Sequence, residues 1–294
     1  MFLLPWYNGT SMSKLPSVAI IIPAYNEEET IARCLESCVA QTSKADEIIV
    51  VNNNSVDATE KIVKKFQKDH PDHTIRLLNE TVQGITAARN HGFEKAKSEV
   101  LGRIDADSTI MSDWVESVRA NFGNKDVDAA TGPVQYYDMP MVDLGLRVDE
   151  KIRNTLYKMA KDHRFLFGSN MAIRKTVWEK VGGMTSPDPD DELHEDIDLA
   201  LVLFENNFEV VYDPKMIASL SARRLESSPR KFYYYVMRFE RTFKVHNVRS
   251  ATARIPILIY LLTYFPLRTV RKFYDGDTSQ FTLQKLRDEL SRLK

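Results

Sequence analysis

Between Gly9 and Gly84 the 294-residue chain contains no glycine. A dinucleotide or P-loop site needs glycine in its first strand-to-helix turn, because only glycine lets backbone amides crowd a phosphate. Both chemistries are therefore excluded, and a sugar-1-phosphate nucleotidyltransferase, which uses a glycine-rich loop at the same place, loses most of its case. Cysteine is nearly as scarce. Cys34 and Cys38 lie four apart and share a helical face with Ile31 and Leu35, so they read as core residues of a reducing compartment, not as a bridge or a metal pair. Long apolar runs are missing too. The longest charge-free one, between Arg254 and Arg268, has 13 residues, short of the roughly 20 that a spanning helix needs. The apolar stretch Met1–Tyr7 has no cationic flank before it and does not read as a secretory leader, so export is not expected and the Asn8 sequon reads as an accident of composition.

What remains is a folded chain: 43% hydrophobic and 28% charged, which excludes disorder and collagen-like structure and points to one large domain with an appendage or to two small ones. The net charge of −1 hides an asymmetry. Residues 215–294 hold 17 Lys+Arg against 6 Asp+Glu, a charge of +11, and residues 1–214 carry −12. An acidic body is followed by a basic tail.

Apolar runs and helical periodicities alternate along the first hundred residues. Val18–Pro23 reads as a buried strand, residues 31–39 as a helix behind an Asn26 cap, and Glu47–Asn52 as a second strand. Asp57 and Glu60 make a capping-box-like start to a helix that turns Ile62, Val63 and Phe66 inward. Strand Ile75–Asn79, a helix around Thr86–Lys97 and strand Val100–Ile104 follow. This alternation predicts a largely parallel sheet with helices on its faces, whose ligands collect at the carboxyl ends of the strands. Tyr25/Asn26, Asn52–Ser55, Asn79/Glu80 and Asp105/Asp107 are delivered there. The second half is less regular: a helix over 141–161, a strand near Arg164–Ile173, a short helix Thr176–Val181 stopped by Gly182-Gly183, an acidic loop and helix Asp188–Asn207, and strand Glu209–Tyr212. We divide the chain into an N-terminal extension (1–16), an α/β domain (17–225) and a basic, aromatic-rich helical region (226–294).

Asp105-Ala106-Asp107 places two carboxylates two residues apart after an apolar strand, so that both point the same way toward one divalent ion. Hard oxygen ligands select Mg²⁺ or Mn²⁺ with positions open for substrate phosphates. Taken alone, the tripeptide is more often a solvated strand-end turn. Its neighbours change that: Pro23-Ala-Tyr-Asn-Glu27, Asn52-Asn-Asn-Ser-Val-Asp57, Ala88-Arg-Asn90, Asp105-Ala-Asp107, Gly168-Ser-Asn-Met-Ala-Ile-Arg174, Val181-Gly-Gly-Met184, His194-Glu-Asp-Ile-Asp-Leu199 and Ser221-Ala-Arg-Arg224 occur in this order over roughly residues 17–225. As an ordered set they resemble family 2 glycosyltransferases of the GT-A fold.

The resemblance implies a mixed, mostly parallel α/β sheet flanked by helices and an inverting transfer of sugar from a nucleotide-diphosphate sugar, UDP- or GDP-linked. It implies that Pro23, Ala24, Tyr25, Glu27, Asn52, Asn54 and Asp57 grip the base and ribose, that Arg89 helps hold base or phosphates, and that Asp105, Ala106 and Asp107 hold the metal and donor. Asn stands at 52 where the family usually has Asp, and Asn donates as well as accepts, which leaves uracil and guanine both open. Residues 188–198 carry seven acids. Asp190–Glu192 suit a helix N-terminus, whereas the match to the family's Glu-Asp pair makes Asp196 the candidate general base, with Glu195 beside it. His194 and Asn170 would support the acceptor side. Arg223 and Arg224 would clamp the diphosphate, or else simply start a solvated helix. After Asp213, where many relatives supply a histidine near the metal, Pro214–Leu220 has none.

In the tail, Phe232, Tyr233, Tyr234, Tyr235, Phe239 and Phe243 alternate with Lys231, Arg238, Arg241 and Lys244 ahead of the apolar run. Residues 230–272 thus read either as a segment lying in a membrane interface or as a run packed on the domain. The first suits a lipid-linked acceptor, a carbohydrate acceptor being the other possibility, and places the protein in the cytoplasm or on the cytoplasmic membrane face. Nucleic acid is not an expected partner of a chain near neutrality. Two rival readings remain: a glycoside hydrolase with paired carboxylates, and a non-catalytic nucleotide- or sugar-binding module of the same fold.

Overall fold

A computed structural model describes residues 15–159, 165–188, 190–249, 251–276, 278–283 and 287. Most of the N-terminal extension with Asn8, the expected helix end at 160–161, the expected strand start at Arg164 and most of the chain after 283 lie outside the described residues. The first half builds as its periodicities dictate: β1 (Val18–Ala24), α1 (Ile31–Val39), β2 (Glu47–Asn52), α2 (Thr59–Asp69), β3 (Ile75–Asn79), α3 (Ile85–Lys95) and β4 (Val100–Arg103). Then come β5 (Thr109–Ile110), α4 (Trp114–Gly123), β6 (Ala129–Thr131), β7 (Val134–Tyr136), α5 (Val142–Met159), β8 (Met171–Arg174), α6 (Lys175–Val181), α7 (Glu195–Glu205), β9 (Val210–Tyr212), β10 (Ala218–Leu220), α8 (Pro229–Val245) and α9 (Ile255–Phe273).

The main sheet has the order β3-β2-β1-β4-β8-β6-β9. β1 to β4 run parallel, β8 lies antiparallel between β4 and β6, and β9 pairs parallel with β6. Alternate residues of β1 enter opposite cores. Ile20 and Ile22 pack with Cys34, Leu35 and Trp114 on one face; Ala19 and Ile21 pack with Phe93, Trp178 and Leu199 on the other. Both cysteines are buried and free, on the α1 face expected. Asn26 does not cap α1. It takes a left-handed backbone, and its Oδ1 accepts from the Val56 amide 2.9 Å away, tying the loop after β1 to the loop after β2.

Because β2 and β3 build outward on one side of β1 and β4 on the other, the sheet reverses direction between β1 and β4, and the crevice outside their carboxyl ends opens there. A small second sheet, β5-β10-β7, lies beyond β4.

The basic tail packs on the body. Leu156 of α5, Phe165, Ile197 and Leu201 of α7, and Phe239 and Phe243 of α8 share one core cluster. Two ion pairs join the basic tail to the acidic body, Arg238 with Asp191 (2.6 Å) and Arg271 with Asp138 (2.7 Å), and two lie within the tail, Arg254 with Glu240 (2.9 Å) and Arg271 with Glu226 (2.9 Å). Among the described residues no helix is long and apolar enough to cross a membrane.

Candidate active site

A cavity of about 1010 Å³ begins at the β1/β4 crevice and extends beneath α5, α8 and α9. Its polar end is walled by Pro23, Ala24, Tyr25 and Glu27 after β1, by Asp105, Ala106 and Asp107 after β4, and by Arg223 and Arg224. Tyr25, Asp105 and Asp107 were expected there from the strand ends and the others from the family resemblance; they are brought together from three segments. Arg223 bridges two carboxylates. Its guanidinium makes a two-point contact with Glu27 (2.9 and 2.5 Å) and a third contact with Asp107 (2.8 Å). Burial, and after it the charge of Asp105, push the Asp107 carboxyl up to about 7 against the pull of Arg223. Arg224 lies over the Tyr235 ring, 4.3 Å from its centroid.

Behind this wall the other expected nucleotide residues build loops. Asn52 is 5% exposed; its Nδ2 donates to Asn79 Oδ1 (3.1 Å) and its Oδ1 accepts from the Ser55 amide (3.2 Å). The wall position belongs instead to Asn53, whose Oδ1 accepts from the Gly84 amide (2.8 Å) and whose Nδ2 donates to the carbonyls of Glu80 and Val82. Asn54 has a left-handed backbone and donates to the Thr81 carbonyl (3.0 Å). Asp57 accepts from the Thr59 amide and hydroxyl and from the Glu28 amide, which fixes the turn into α1. Arg89 is fully buried: it donates to the Glu195 carbonyl (3.0 Å) and to Asn90 (3.0 Å), and burial lowers its pKa to about 10. It faces the base of α7, not the cavity, because α3 turns it toward the sheet. Asn170 is equally enclosed. It accepts from the Trp114 indole (2.8 Å) and donates to the carbonyls of Pro133 and Met216, so no acceptor reaches it.

Glu195 and Asp196 open α7, where the helix dipole favours acids. Burial would raise the Glu195 carboxyl, but the Arg103 and Arg89 guanidiniums outweigh it and hold it down at about 2. The opposite holds next door. Burial first and the charge of Glu195 second push Asp196 up to about 7, although its two oxygens accept from the amides of Gly168 (2.8 Å) and Ile197 (2.8 Å). Two adjacent carboxyls are thus driven apart, one always ionised and one poised near neutrality, the pattern that separates acid/base roles. Asp196 is one layer behind the wall. Gly168, whose amide it holds, follows the wall residue Phe167, and its charge reaches the wall phenols Tyr235 and Tyr260. His194 is wedged between Tyr235 (4.9 Å) and Phe239 (4.1 Å), and burial lowers its pKa to about 4, so it packs as a neutral ring and does not face the cavity.

Arg103, the last residue of β4, went unnoticed in the sequence and is the pivot of the site. It is 1% exposed, donates to Asp105 Oδ1 (2.9 Å) and pairs with Glu195, joining the strand-end carboxylates to the start of α7. A Cβ on Gly168 would lie 2.1 Å from its Nη1, so only glycine lets the chain cross over the guanidinium. The available signal was a lone cation inside a buried strand, which must be paired to be tolerated.

Among the described residues no group of three or more His, Cys, Asp or Glu side chains is arranged to hold a metal. Asp105 and Asp107 nevertheless fit a hard cation, being two oxygen donors side by side after β4, and Mg²⁺ or Mn²⁺ ordinarily takes few protein ligands beside substrate phosphates.

Residues 19–182 match the profile of Glycosyl transferase family 2. The chain belongs to that family. EpsH of Bacillus subtilis (strain 168) is 31% identical over 166 residues, which cover 56% of this chain and 46% of that protein. Glycosyltransferase AglE of Haloferax volcanii is 30% identical over 172 residues, 58% of this chain and 56% of that protein. The chain thus spans about half the length of these curated relatives. Among solved structures, the mannosyltransferase PcManGT from Pyrobaculum calidifontis, in complex with GDP-Man and Mn²⁺, aligns with a TM-score of 0.62 at 20% identity over 98% of this chain and 83% of that one. GalNAc-T7 with UDP, GalNAc and Mn²⁺ aligns at 0.55 and 16% identity, over 86% and 58%. The mixed, mainly parallel sheet of this family 2 glycosyltransferase is the GT-A fold, as the ordered motifs implied.

Proposed function

We propose that this protein transfers a sugar from a nucleotide-diphosphate sugar, UDP- or GDP-linked, to an acceptor hydroxyl with inversion at the anomeric carbon. The observation that carries the reading is the meeting of Asp105, Asp107, Glu27 and Arg223 on one wall at the β1/β4 switch point. The base and ribose lie against Tyr25 and the Asn53–Gly84 corner, which Asn52, Asn54 and Asp57 shape from behind. Arg223 leaves its carboxylate partners for the diphosphate. Asp105 and Asp107 hold a divalent cation, Mn²⁺ or Mg²⁺, which supplies charge neutralisation as the diphosphate departs. The cations in the complexes of PcManGT and GalNAc-T7 support this assignment by analogy of fold.

Asp196 is the general base. Its carboxylate takes the acceptor hydroxyl proton while that oxygen bonds to the sugar C1; the C1–O bond to the diphosphate breaks, and its electron pair leaves with the nucleoside diphosphate. Arg103 keeps Glu195 ionised beside it, which holds Asp196 basic enough to accept a proton near neutrality. The acceptor is carbohydrate or lipid-linked. Leu258, Leu262 and Phe265, 58%, 68% and 63% exposed on one side of α9, support peripheral contact with the cytoplasmic face of a membrane. Incubation with α-linked UDP- and GDP-sugars, Mn²⁺ and candidate acceptors, with the product read by NMR, tests the reaction. A β-linked product is expected, and retention of configuration would contradict a single displacement.

A further inference from the structure

Arg223 reaches the polar wall from a piece of chain that has little burial of its own. Ala222–Glu226 is a single 3₁₀ turn between β10 and α8, and Ala222 is its one buried residue. The Ser221 hydroxyl accepts from the Arg223 amide (3.1 Å), a local tie on an exposed stretch. So short a turn does not repay the entropy of ordering by contacts of its own. Its stiffness has to come from outside.

It comes from the far end of the chain. Arg271, in the last turn of α9 and 6% exposed, holds the turn at both ends. At the front its Nη1 pairs with Asp138 Oδ2 (2.7 Å), and the same carboxylate accepts from the Ser221 hydroxyl (2.7 Å) and the Ala222 amide (2.8 Å). At the back its Nε donates to Glu226 Oε1 (2.9 Å). Two more residues of α9 secure the back end: the Tyr264 hydroxyl donates to the Ser227 carbonyl (2.6 Å), and Arg268 donates to the same oxygen. Past α9 the chain closes over the carboxylate. A Cβ on Gly276 would lie 2.8 Å from Asp138 Cα, too close for any side chain.

A pair that merely fastened α9 to the body would need neither Ser221 nor Ala222 on its carboxylate, and α9 already packs on α8 through Ile257, Tyr260 and Leu261. The convergence on the two residues just before Arg223 singles out the clamp. Separate nitrogens of one planar fork meet the two carboxylates, whereas a lysine has a single nitrogen to offer.

We infer that Arg271 is a positioning residue for the donor: through Asp138 and Glu226 it fixes the backbone of residues 221–226, so that Arg223 swings from Glu27 and Asp107 to the diphosphate on an anchor that does not move. This rests on the transfer reading above, which gives Arg223 to the diphosphate. An anchor set in advance lowers the ordering cost of binding. Loosening it therefore costs diphosphate affinity and spares the contacts to base and ribose.

The test titrates the full chain, with Mn²⁺ present, with UDP and GDP by calorimetry and with uridine and guanosine by ligand-observed NMR. For the diphosphate that binds, Arg271→Lys is expected to weaken affinity about tenfold, as Arg223→Ala does, and to leave the matching nucleoside within about twofold. Added to Arg223→Ala, Arg271→Lys should cost nothing more, because the side chain it positions is gone. Ser221→Ala and Glu226→Ala, the latter at a side chain 56% exposed, each free one end while Arg271 keeps a carboxylate partner, and each should weaken the diphosphate about threefold. These two carry the test if Arg271→Lys does not fold. Equal weakening of nucleoside and diphosphate, or a further loss from Arg271→Lys in the Arg223→Ala chain, would overturn the role and leave the pair to the fold alone. So would a diphosphate affinity that Arg223→Ala lowers and the other variants leave unchanged. A wild-type chain that binds neither UDP nor GDP would contradict the transfer reading itself, and this role with it.

Discussion

The two ends of the cavity are built on opposite principles. At the donor end every charge faces another: Arg223 joins Glu27 to Asp107, and Arg103 joins Asp105 to Glu195, on rigid strand ends. At the far end helices enclose apolar space. The difference teaches that the polar end is held by its own electrostatics, whereas the far end is held by the packing of its helices. Damage to the first should therefore be large and chemical.

The largest effect is expected from Asp196→Asn, which removes the base and should lower turnover by about 10²–10⁴-fold with nucleotide affinity intact. A variant that still turns over at the wild-type rate would contradict its role, and loss of turnover with binding retained would exclude a module that only binds. Arg103→Met comes next. It leaves Glu195 and Asp105 without their buried partner, and urea unfolding should show a loss of about 3–5 kcal/mol, the cost of breaking a buried pair. An unchanged midpoint would mean that the pair at the pivot contributes nothing net. Arg223→Ala should weaken nucleoside diphosphate binding about tenfold, near 1.4 kcal/mol, without unfolding the chain, and an unaffected titration would remove Arg223 from the donor clamp.

Acid titration sharpens the comparison further. The Asp196 carboxyl is raised to about 7 and is a base only when ionised, so kcat should rise with pH through about 7, while Glu195, held at about 2, stays charged throughout. A flat profile between pH 6 and 8 would separate Asp196 from the rate-limiting proton transfer. The smallest effect lies away from the cavity. His246 Nε2 meets Asp198 (2.8 Å) and its Nδ1 meets Glu205 (3.0 Å), clasping α8 to α7, and the hydrogen bond to Asp198 raises the His246 pKa. A raised folded-state histidine stabilises fully below its unfolded pKa of about 6.5, and that contribution fades as pH rises through the folded value. Exchange protection at the α7–α8 contact, taken relative to the intrinsic base-catalysed rate at each pH, should therefore fall above neutrality, and in His246→Ala that fall should vanish.

The polar end was far more legible in the sequence than the far end. β1 to β4 are continuous apolar runs closed by polar residues, so both their direction and their cargo could be read, and Asp105, Asp107, Tyr25 and Glu27 meet where the strand ends put them. Burial blurred the finer assignments. Asn52 and Asn53 are adjacent and alike, and only the register of β2 with β3 decides that Asn52 turns to Asn79 and Asn53 to the wall. Arg89 and Asn170 have side chains suited to a ligand but sit at positions where α3 and β8 leave no space. β6, β7 and β10 have three residues each, too few for a periodicity, and α4 was hidden because its apolar residues are interspersed with a polar face. The tail read either as a segment lying in a membrane interface or as a run packed on the domain. Arg238, Arg254 and Arg271 are turned to carboxylates, partners that the sequence did not reveal.

Thermal unfolding with UDP and GDP, each with and without Mn²⁺, on the wild type and on Asp107→Asn, tests most directly whether the β1/β4 crevice is a metal-assisted nucleotide site. A ligand at about a hundred times its Kd adds roughly 2.7 kcal/mol to stability, a shift of several degrees in a domain of this size. One nucleotide should stabilise the wild type only when Mn²⁺ is present, and Asp107→Asn should lose that shift. Equal stabilisation of wild type and variant, or none by either nucleotide with the metal present, would contradict the account.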